Sequence, residues 1–311
     1  MTSEPAAAAR TLVVGESLID VVLGPEGPAE HVGGSPANVA MGLAQLGHPV
    51  DFLTHLGADA RGRRIADQLL QTGVRLAHGR TAARTSTATA RLDAEGVATY
   101  DFDLAWDLPA AVDLTGTGHL HTGSVAATLE PGASHVLETL QAARATATLS
   151  YDPNLRPSIM GAPHDVRSRV EELIGWSDVV KASDEDVTWL YDGAPVEQVA
   201  HLWGRLGPSV VVITRGPAGA LLHLPATGGQ DLVPAAAAQV VDTVGAGDSF
   251  MAGLLSGLLD AGYLGDPGAR DRLRRARAED IRPAVDRAGA CAHWTIERAG
   301  AAAPTRSDLA S

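Results

Sequence analysis

Val240-Val241-Asp242-Thr243-Val244-Gly245-Ala246-Gly247-Asp248-Ser249-Phe250 runs directly into the periodic apolar stretch Met251–Leu259. A β-branched run, two glycines and an amphipathic segment in that order predict a strand bending sharply into a helix. The glycines let the backbone turn its N–H groups outward with the helix dipole behind them, which makes a preorganised site for negative charge. Asp248 then places a carboxylate beside an anion pocket. That pairing is self-defeating unless the acid takes a proton from a hydroxyl that attacks a phosphoryl group. The segment therefore points to phosphoryl transfer. An acid in the first turn of a helix also simply stabilises that terminus, and this segment alone leaves both readings open.

Upstream, Val32-Gly33-Gly34-Ser35-Pro36-Ala37-Asn38-Val39-Ala40 again sets two glycines before a helix. Glycines permit close approach to backbone, and Asn38 offers a donor and an acceptor to a polyol. Asp20, on the preceding hairpin, can accept two sugar hydroxyls while repelling a substrate already phosphorylated, so a neutral acceptor is expected. Other phosphate devices are missing. A Walker A loop needs a lysine after its last glycine, and the one lysine, Lys181, lies in Val180-Lys181-Ala182-Ser183. No G-x-G-x-x-G occurs, because Phe250 stands where the third glycine would be.

The 311 residues are 45% hydrophobic and 20% charged, enough to bury a sizeable core. With 37 acidic and 24 basic residues the formal charge is −13, which offers nucleic acid and anionic membranes no broad attraction. Any phosphate must be held locally. One cysteine, Cys291, forms no intramolecular disulfide and is expected to be a small buried apolar residue. No apolar run approaches the roughly 18 residues of a membrane span, and no signal-peptide pattern opens the chain, so a cytoplasmic location is expected.

Strands are expected at Thr11–Gly15, Val50–Leu56, His119–Gly123, Ala147–Tyr151, Val179–Ala182 and Val210–Thr214, alternating with helices at Ser35–Leu46, Asp59–Gln71, Ala133–Arg144, Val166–Trp176 and onward to Leu206. That alternation implies a doubly wound, mostly parallel α/β sheet covered on both faces. Two hairpins interrupt it, turning at Gly24–Pro28 and Asp93–Gly96. Short antiparallel connections do not suit a parallel sheet's interior, so the hairpins, about 18–32 and 85–103, are expected to form a small β-sheet lid on one continuous domain spanning 1–311. A lid sheet alone buries little, and a homodimer formed through it is the corresponding expectation. His119 and His121 share a strand face and read as a hydrogen-bonded pair rather than a metal site. The Arg270–Arg277 stretch reads as a solvated helix face. Phe102 and Trp106 read as packing residues of the lid or of a subunit contact.

The pair GGSPANVAMGLAQLG and DTVGAGDSFMAGLLSGL resembles the ribokinase-like, or PfkB, family of carbohydrate kinases, from about Leu12 to about Pro304. The resemblance implies ATP as phosphoryl donor with Mg2+, and a sugar hydroxymethyl as acceptor. It makes Asp248 the base and Gly245, Ala246 and Gly247 the anion hole. It places Asp20, Gly33, Gly34 and Asn38 at the sugar, and Thr214, Gly216 and Gly219 at the nucleotide. Ser183 and Asp186 stand where the family has N-x-x-E near magnesium and the phosphates, a departure that weakens a direct metal role for Asp186. Ile296–Ala301 is similar to the segment near adenine and a monovalent cation such as K+. Asp152-Pro153-Asn154-Leu155-Arg156 resembles the D-x-N-x-R of fructokinases and 2-keto-3-deoxygluconate kinases, and Gly15-Glu16-Ser17-Leu18-Ile19-Asp20 resembles fructokinases, while Arg156 suits either sugar hydroxyls or the carboxylate of a sugar acid. Asp20 and Thr243 tilt the reading toward fructose. A 2-keto-3-deoxygluconate kinase, a nucleoside kinase and a noncatalytic sugar or nucleotide sensor on the same fold stay open as alternatives.

Overall fold

The structure, a computed structural model, describes residues 9–24, 27–77, 81–92, 98–109 and 111–310. The tips of both expected hairpins, at 25–26 and 93–97, lie outside these residues. The first half of the chain runs β1 (Arg10–Val14), β2 (Leu18–Gly24), β3 (Gly27–Gly33), α1 (Ser35–Gln45), β4 (Val50–Leu53), β5 (Leu56–Gly57), α2 (Ala60–Gln71), β6 (Arg75–Ala77), β7 (Thr81–Ala82), β8 (Thr87–Leu92) and β9 (Ala98–Asp103). The second half begins with β10 (Thr117–Gly123), α3 (Gly132–Ala143), β11 (Thr148–Asp152), α4 (Pro157–Met160), α5 (Pro163–Trp176), β12 (Val179–Ser183), α6 (Asp184–Leu190) and α7 (Val196–Gly204). It ends with β13 (Val210–Thr214), β14 (Ala220–Leu224), β15 (Gly229–Val233), α8 (Ala246–Asp260), α9 (Ala269–Arg275) and α10 (Ala278–Ile296).

Nine strands form one sheet in the order β15-β14-β13-β12-β11-β10-β1-β4-β6, parallel throughout except for the antiparallel pairs β13–β14 and β14–β15. The expected hairpins assemble into a second sheet, β3-β2-β8-β9, in which β2 and β8 pair in parallel. Residue parity along each strand divides the core between the two faces. Val13, Val179, Val210 and Val212 meet α1, α8 and α10 on one side. Leu12, Val14, Val180, Ala182, Val211 and Ile213 meet α3, α5 and α7 on the other. Asp59 caps α2 by accepting from Gly62 N at 2.8 Å, as its position predicts. The same carboxylate accepts from Thr85 N at 2.8 Å and so ties the root of the second hairpin to the main body.

The structure corrects several expectations. Val240–Val244 is not a strand: Val240, Val241 and Val244 are 60%, 65% and 55% exposed, and Val241 N donates to Ile296 O. The hairpin β14–β15, which turns at Gly228-Gly229, occupies the sheet edge instead. The strand expected over Val50–Leu56 ends at Leu53, and Leu56–Gly57 pairs separately with Thr81–Ala82. Arg270 is not solvated, because its Nε donates to the buried Asp178 at 2.8 Å. Trp106 is buried in the main body, its indole N–H donating to Ala126 O at 2.9 Å and its ring filling the space where Gly132 lacks a side chain. Cys291 is fully buried, and burial pushes its thiol up to about 12.

Polar residues also share the α8 face of the central strands. His119 contacts Thr148 Oγ1 and Ser150 Oγ at 2.9 Å each, and His121 contacts Ser150 Oγ at 3.0 Å, so the two histidines are joined through a serine rather than directly. Burial holds His119 down to about 4 and His121 to about 3, and both are neutral at pH 7. The unfolded chain takes up these protons near 6.5 and the folded chain does not. Stability should therefore fall as pH drops from about 6.5 toward 4, by up to roughly 1.4 kcal/mol per pH unit for each histidine. Urea midpoints measured across that range should show a shallower slope for His119→Gln than for the parent protein.

Candidate active site

The site sits where the carboxyl ends of β1, β10, β11, β12 and β13 meet the N-termini of α1 and α8, the usual place for ligands in an open α/β sheet. Gly245 caps α8 at φ 76°, a left-handed conformation, and a side chain there would stand 2.5 Å from Ala301 Cβ. Glycine is required on both counts. The first-turn amides have no acceptor within their own helix. Ala246 N–H closes the turn on Thr243 O at 3.2 Å. Of the three residues expected to form the anion hole, Ala246 is thus engaged locally, and the donors at this terminus are those of Gly247 and Asp248.

Asp248 is 8% exposed, and both of its oxygens accept from α1: Oδ1 from Ser35 Oγ at 2.7 Å and Oδ2 from Asn38 Nδ2 at 2.8 Å. The buried carboxylate therefore faces the Gly33–Ala40 motif. Asn38, expected at the sugar, is first a neighbour of the base; its Oδ1 is buried without a partner and is the acceptor left for a ligand. Ser35 was legible only as a helix start, and Gly34 is the actual N-cap.

Gly33 and Gly34, expected at the sugar, each lie tight against a neighbouring segment. A side chain on Gly33 would meet Asp20 Oδ2 at 2.0 Å, and one on Gly34, at φ 107°, would meet Glu16 O at 2.7 Å. They make room for the Asp20 carboxylate and the Glu16 backbone. Desolvation raises the Asp20 carboxyl, with His31 and Arg156 opposing and Asp248 reinforcing. Arg156 Nη1 donates to Asn154 Oδ1 at 2.7 Å and to Asn154 O and Leu155 O at 3.1 Å, so it is curled on its own loop and does not pair with Asp152.

On the other side of the base, Ser183 and Thr214 are register partners at the ends of β12 and β13. Gly216 and Gly219 take positive φ in the turn that follows, and a side chain on Gly219 would overlap Val233 O. Asp186, expected at the metal, is occupied with the chain itself. Its Oδ2 accepts from Ser183 N and Ser183 Oγ, and its Oδ1 accepts from Leu155 N at 2.7 Å. With Asp186 N donating to Ser183 Oγ at 3.0 Å, the pair is a capping box for α6.

Lys181 entered the sequence reading only to exclude a Walker motif. In the structure its Nζ donates to Asp152 Oδ2 at 2.9 Å, with side-chain exposures of 4% and 1%. The signal was available: a lone lysine inside the apolar strand Val-Val-Lys-Ala-Ser is buried only with a partner.

A buried carboxylate beside the open amides of a helix terminus, at the carboxyl edge of a doubly wound sheet with a separate small β-sheet, suits the transfer of a phosphoryl group to a small hydroxylated acceptor. Residues 9–308 match the pfkB family carbohydrate kinase model, and the chain belongs to that family. A fructokinase from Klebsiella pneumoniae is 34% identical over 257 residues, 79% of this chain and 83% of its own length. One from Rhizobium leguminosarum bv. trifolii is 32% identical over 259 residues, 79% of each. Among solved structures, a fructokinase from Xylella fastidiosa with bound ATP aligns at TM-score 0.83 and 25% identity over 97% of both chains. A fructokinase double mutant from Vibrio cholerae O395, with fructose, ADP and potassium ion bound, aligns at TM-score 0.79 and 25% identity over 98% of this chain and 99% of that one. Among the described residues, no helix is long and apolar enough to cross a membrane.

The cradle makes a paired test possible. Gly245→Ala meets both a left-handed backbone and Ala301, whereas Gly262→Ala, at φ 72° with nothing nearby, meets the backbone strain alone. Each should lose about 1 kcal/mol to the backbone, and thermal melts should show a clearly larger loss for Gly245→Ala. Only that variant should also weaken ATP binding in calorimetry.

Proposed function

We propose that the protein is an ATP-dependent fructokinase that moves the γ-phosphoryl group of ATP to the hydroxymethyl of fructose, giving fructose 6-phosphate. The observation that carries this reading is the Asp248 carboxylate, aimed by Ser35 and Asn38 beside the first-turn amides of α8. The relatives and neighbours that are fructokinases support the acceptor. So does the charge of the site. Asp20, Glu16 and Asp248 gather near a single Arg156, one of whose nitrogens, Nη1, is taken by its own loop, which favours a neutral polyol over a sugar acid.

In this reading Asp20, Arg156 and Asn38 Oδ1 hold the sugar hydroxyls, with Gly33 and Gly34 admitting Asp20 to the sugar. Asp248 accepts the proton of the attacking hydroxyl, and the Gly247 and Asp248 amides hold the migrating group. A general base supplies about 10²–10⁴ of the rate, so positioning and the cradle supply more. Ser183, Thr214, Gly216 and Gly219 border the nucleotide, and the exposed Val240, Val241 and Val244 offer an apolar surface to its base. Among the described residues no three His, Cys, Asp or Glu side chains are grouped to cage an ion. Magnesium fits here as an ion carried by the phosphates, with the unpartnered Asp152 Oδ1 available to it or its waters, and Asp186, whose oxygens hold Leu155 and Ser183, reaching it only through a water. Bound there, it would neutralise and orient the phosphate oxygens. Asp242, whose carboxylate accepts from Val244 N and Gly300 N, joins the loop before α8 to the segment after α10, where a monovalent cation such as K+ is proposed. The lid sheet, with β3 and β9 at its edges, is the surface proposed for a homodimer, and a monomer in micromolar sedimentation would count against that role.

The test is ADP release measured over fructose, 2-keto-3-deoxygluconate, ribose and adenosine. Fructose should give the highest kcat/KM. Asp248→Asn should lower kcat by about 10²–10⁴-fold with KM for fructose changed little. No sugar-dependent turnover would remove the kinase reading, and preference for adenosine or for the sugar acid would replace the acceptor.

A further inference from the structure

Lys181 is the protein's one lysine, and it is buried within β12. Parity puts it on the α8 face of β12, with Val179 and opposite Val180 and Ala182. There its ammonium reaches the cradle from below: a side chain built on Gly247 would stand 3.0 Å from Lys181 Nζ, the one atom it would crowd. Asp152 Oδ2 holds the ammonium at 2.9 Å, while Asp152 Oδ1 is buried with no partner. Asp186 and Asp248 add to the field that keeps Lys181 charged. Three carboxylates thus surround a single ammonium at the place where the proposed reaction puts a phosphoryl group. Without Lys181 the acids would repel that group. A buried ion pair is seldom more stabilising than apolar residues of the same volume, so fold stability alone gives little reason for it.

We propose that Lys181 is a catalytic residue whose ammonium contacts the γ-phosphoryl group as it moves toward the acceptor, and that Asp152 is the positioning residue that holds it against the cradle. This rests on the kinase reading above. In the transfer the bond between the γ-phosphorus and the β–γ bridging oxygen breaks, the sugar oxygen bonds to phosphorus, and the sugar proton passes to Asp248. Lys181 changes no bond and offsets negative charge on the phosphoryl oxygens. Ser183, one residue beyond Ala182, is then fixed in the α6 cap, so the same strand end sets both the lysine and the helix start.

Lys181→Met alone would leave Asp152 buried and uncompensated, so the informative variant is Asp152→Asn/Lys181→Met, which removes both charges together. It should melt near the parent temperature, bind ADP within threefold of the parent, bind ATP about tenfold more weakly, and lose about 10²-fold or more in kcat for fructose. Turnover within threefold of the parent, or a loss that affects ADP as much as ATP, would show a merely structural pair and overturn the proposal. The unmutated protein supplies a second readout. Lysine labelled with 15N at Nζ gives one side-chain resonance, which should move when β,γ-methylene-ATP binds and move far less with ADP; an unmoved resonance at saturation by the ATP analogue would likewise overturn it. Should the parent bind ATP and phosphorylate no sugar, the kinase reading fails by itself, and the contrast between ATP and ADP still decides whether Lys181 meets the γ-phosphate.

Discussion

The carboxylate of Asp248 joins two segments that lie more than two hundred residues apart in the chain. Ser35 and Asn38 donate to its two oxygens from one helix terminus while its own backbone opens another. Everything else in the site depends on that meeting. It requires α1 and α8 to pack side by side on the same sheet face, which the small residues of both helices allow: a side chain on Gly42 would run into Ala252, and side chains on Gly253 and Gly257 would run into α10. Close helix packing therefore brings the two helix termini to one acid.

The sheet contributes a second constraint through residue parity. On β10, β11 and β12 one face is apolar, and the other carries His119, His121, Ser150, Asp152 and Lys181. These groups pair among themselves, since an unpaired buried polar group is costly. Two of the buried atoms left without a partner lie at the site. Asp152 Oδ1 and Asn38 Oδ1 are buried and unpartnered, and burial raises the Asp152 carboxyl to about 6 despite Lys181. Unfilled hydrogen-bonding capacity gathered beside an amide cradle is what a ligand site looks like before its ligand arrives.

Much of this was readable in the sequence, for reasons that are local. The order of glycine turn and helix reports on neighbouring residues, so α1, α2, α8 and the two hairpins of the small sheet follow from spacing, and so does the place of Asp248 in the first turn of α8. What escaped was set by contacts distant in the chain. Val240 and Val241 have the composition of a strand, yet β15 forms the sheet edge and Val241 N pairs with Ile296 O instead. Asp186 looks like a ligand in a motif, but its oxygens meet Leu155 and Ser183. Gly33 and Gly34 announce a close approach without saying that the approaching groups are Asp20 and Glu16. Lys181 was visible as a residue and not as a partner, because Asp152 reaches it across a strand pair.

The central claim is that Asp248 is aimed at the hydroxyl that receives the phosphoryl group, at a cradle formed by the start of α8. The most direct measurement is a crystal structure of the protein with fructose and a nonhydrolysable ATP analogue bound together. The fructose hydroxymethyl oxygen should lie within hydrogen-bond distance of the Asp248 carboxylate, with the terminal phosphate against the backbone of Gly247. Fructose bound with that oxygen turned away from Asp248, or a terminal phosphate seated elsewhere, would contradict the account.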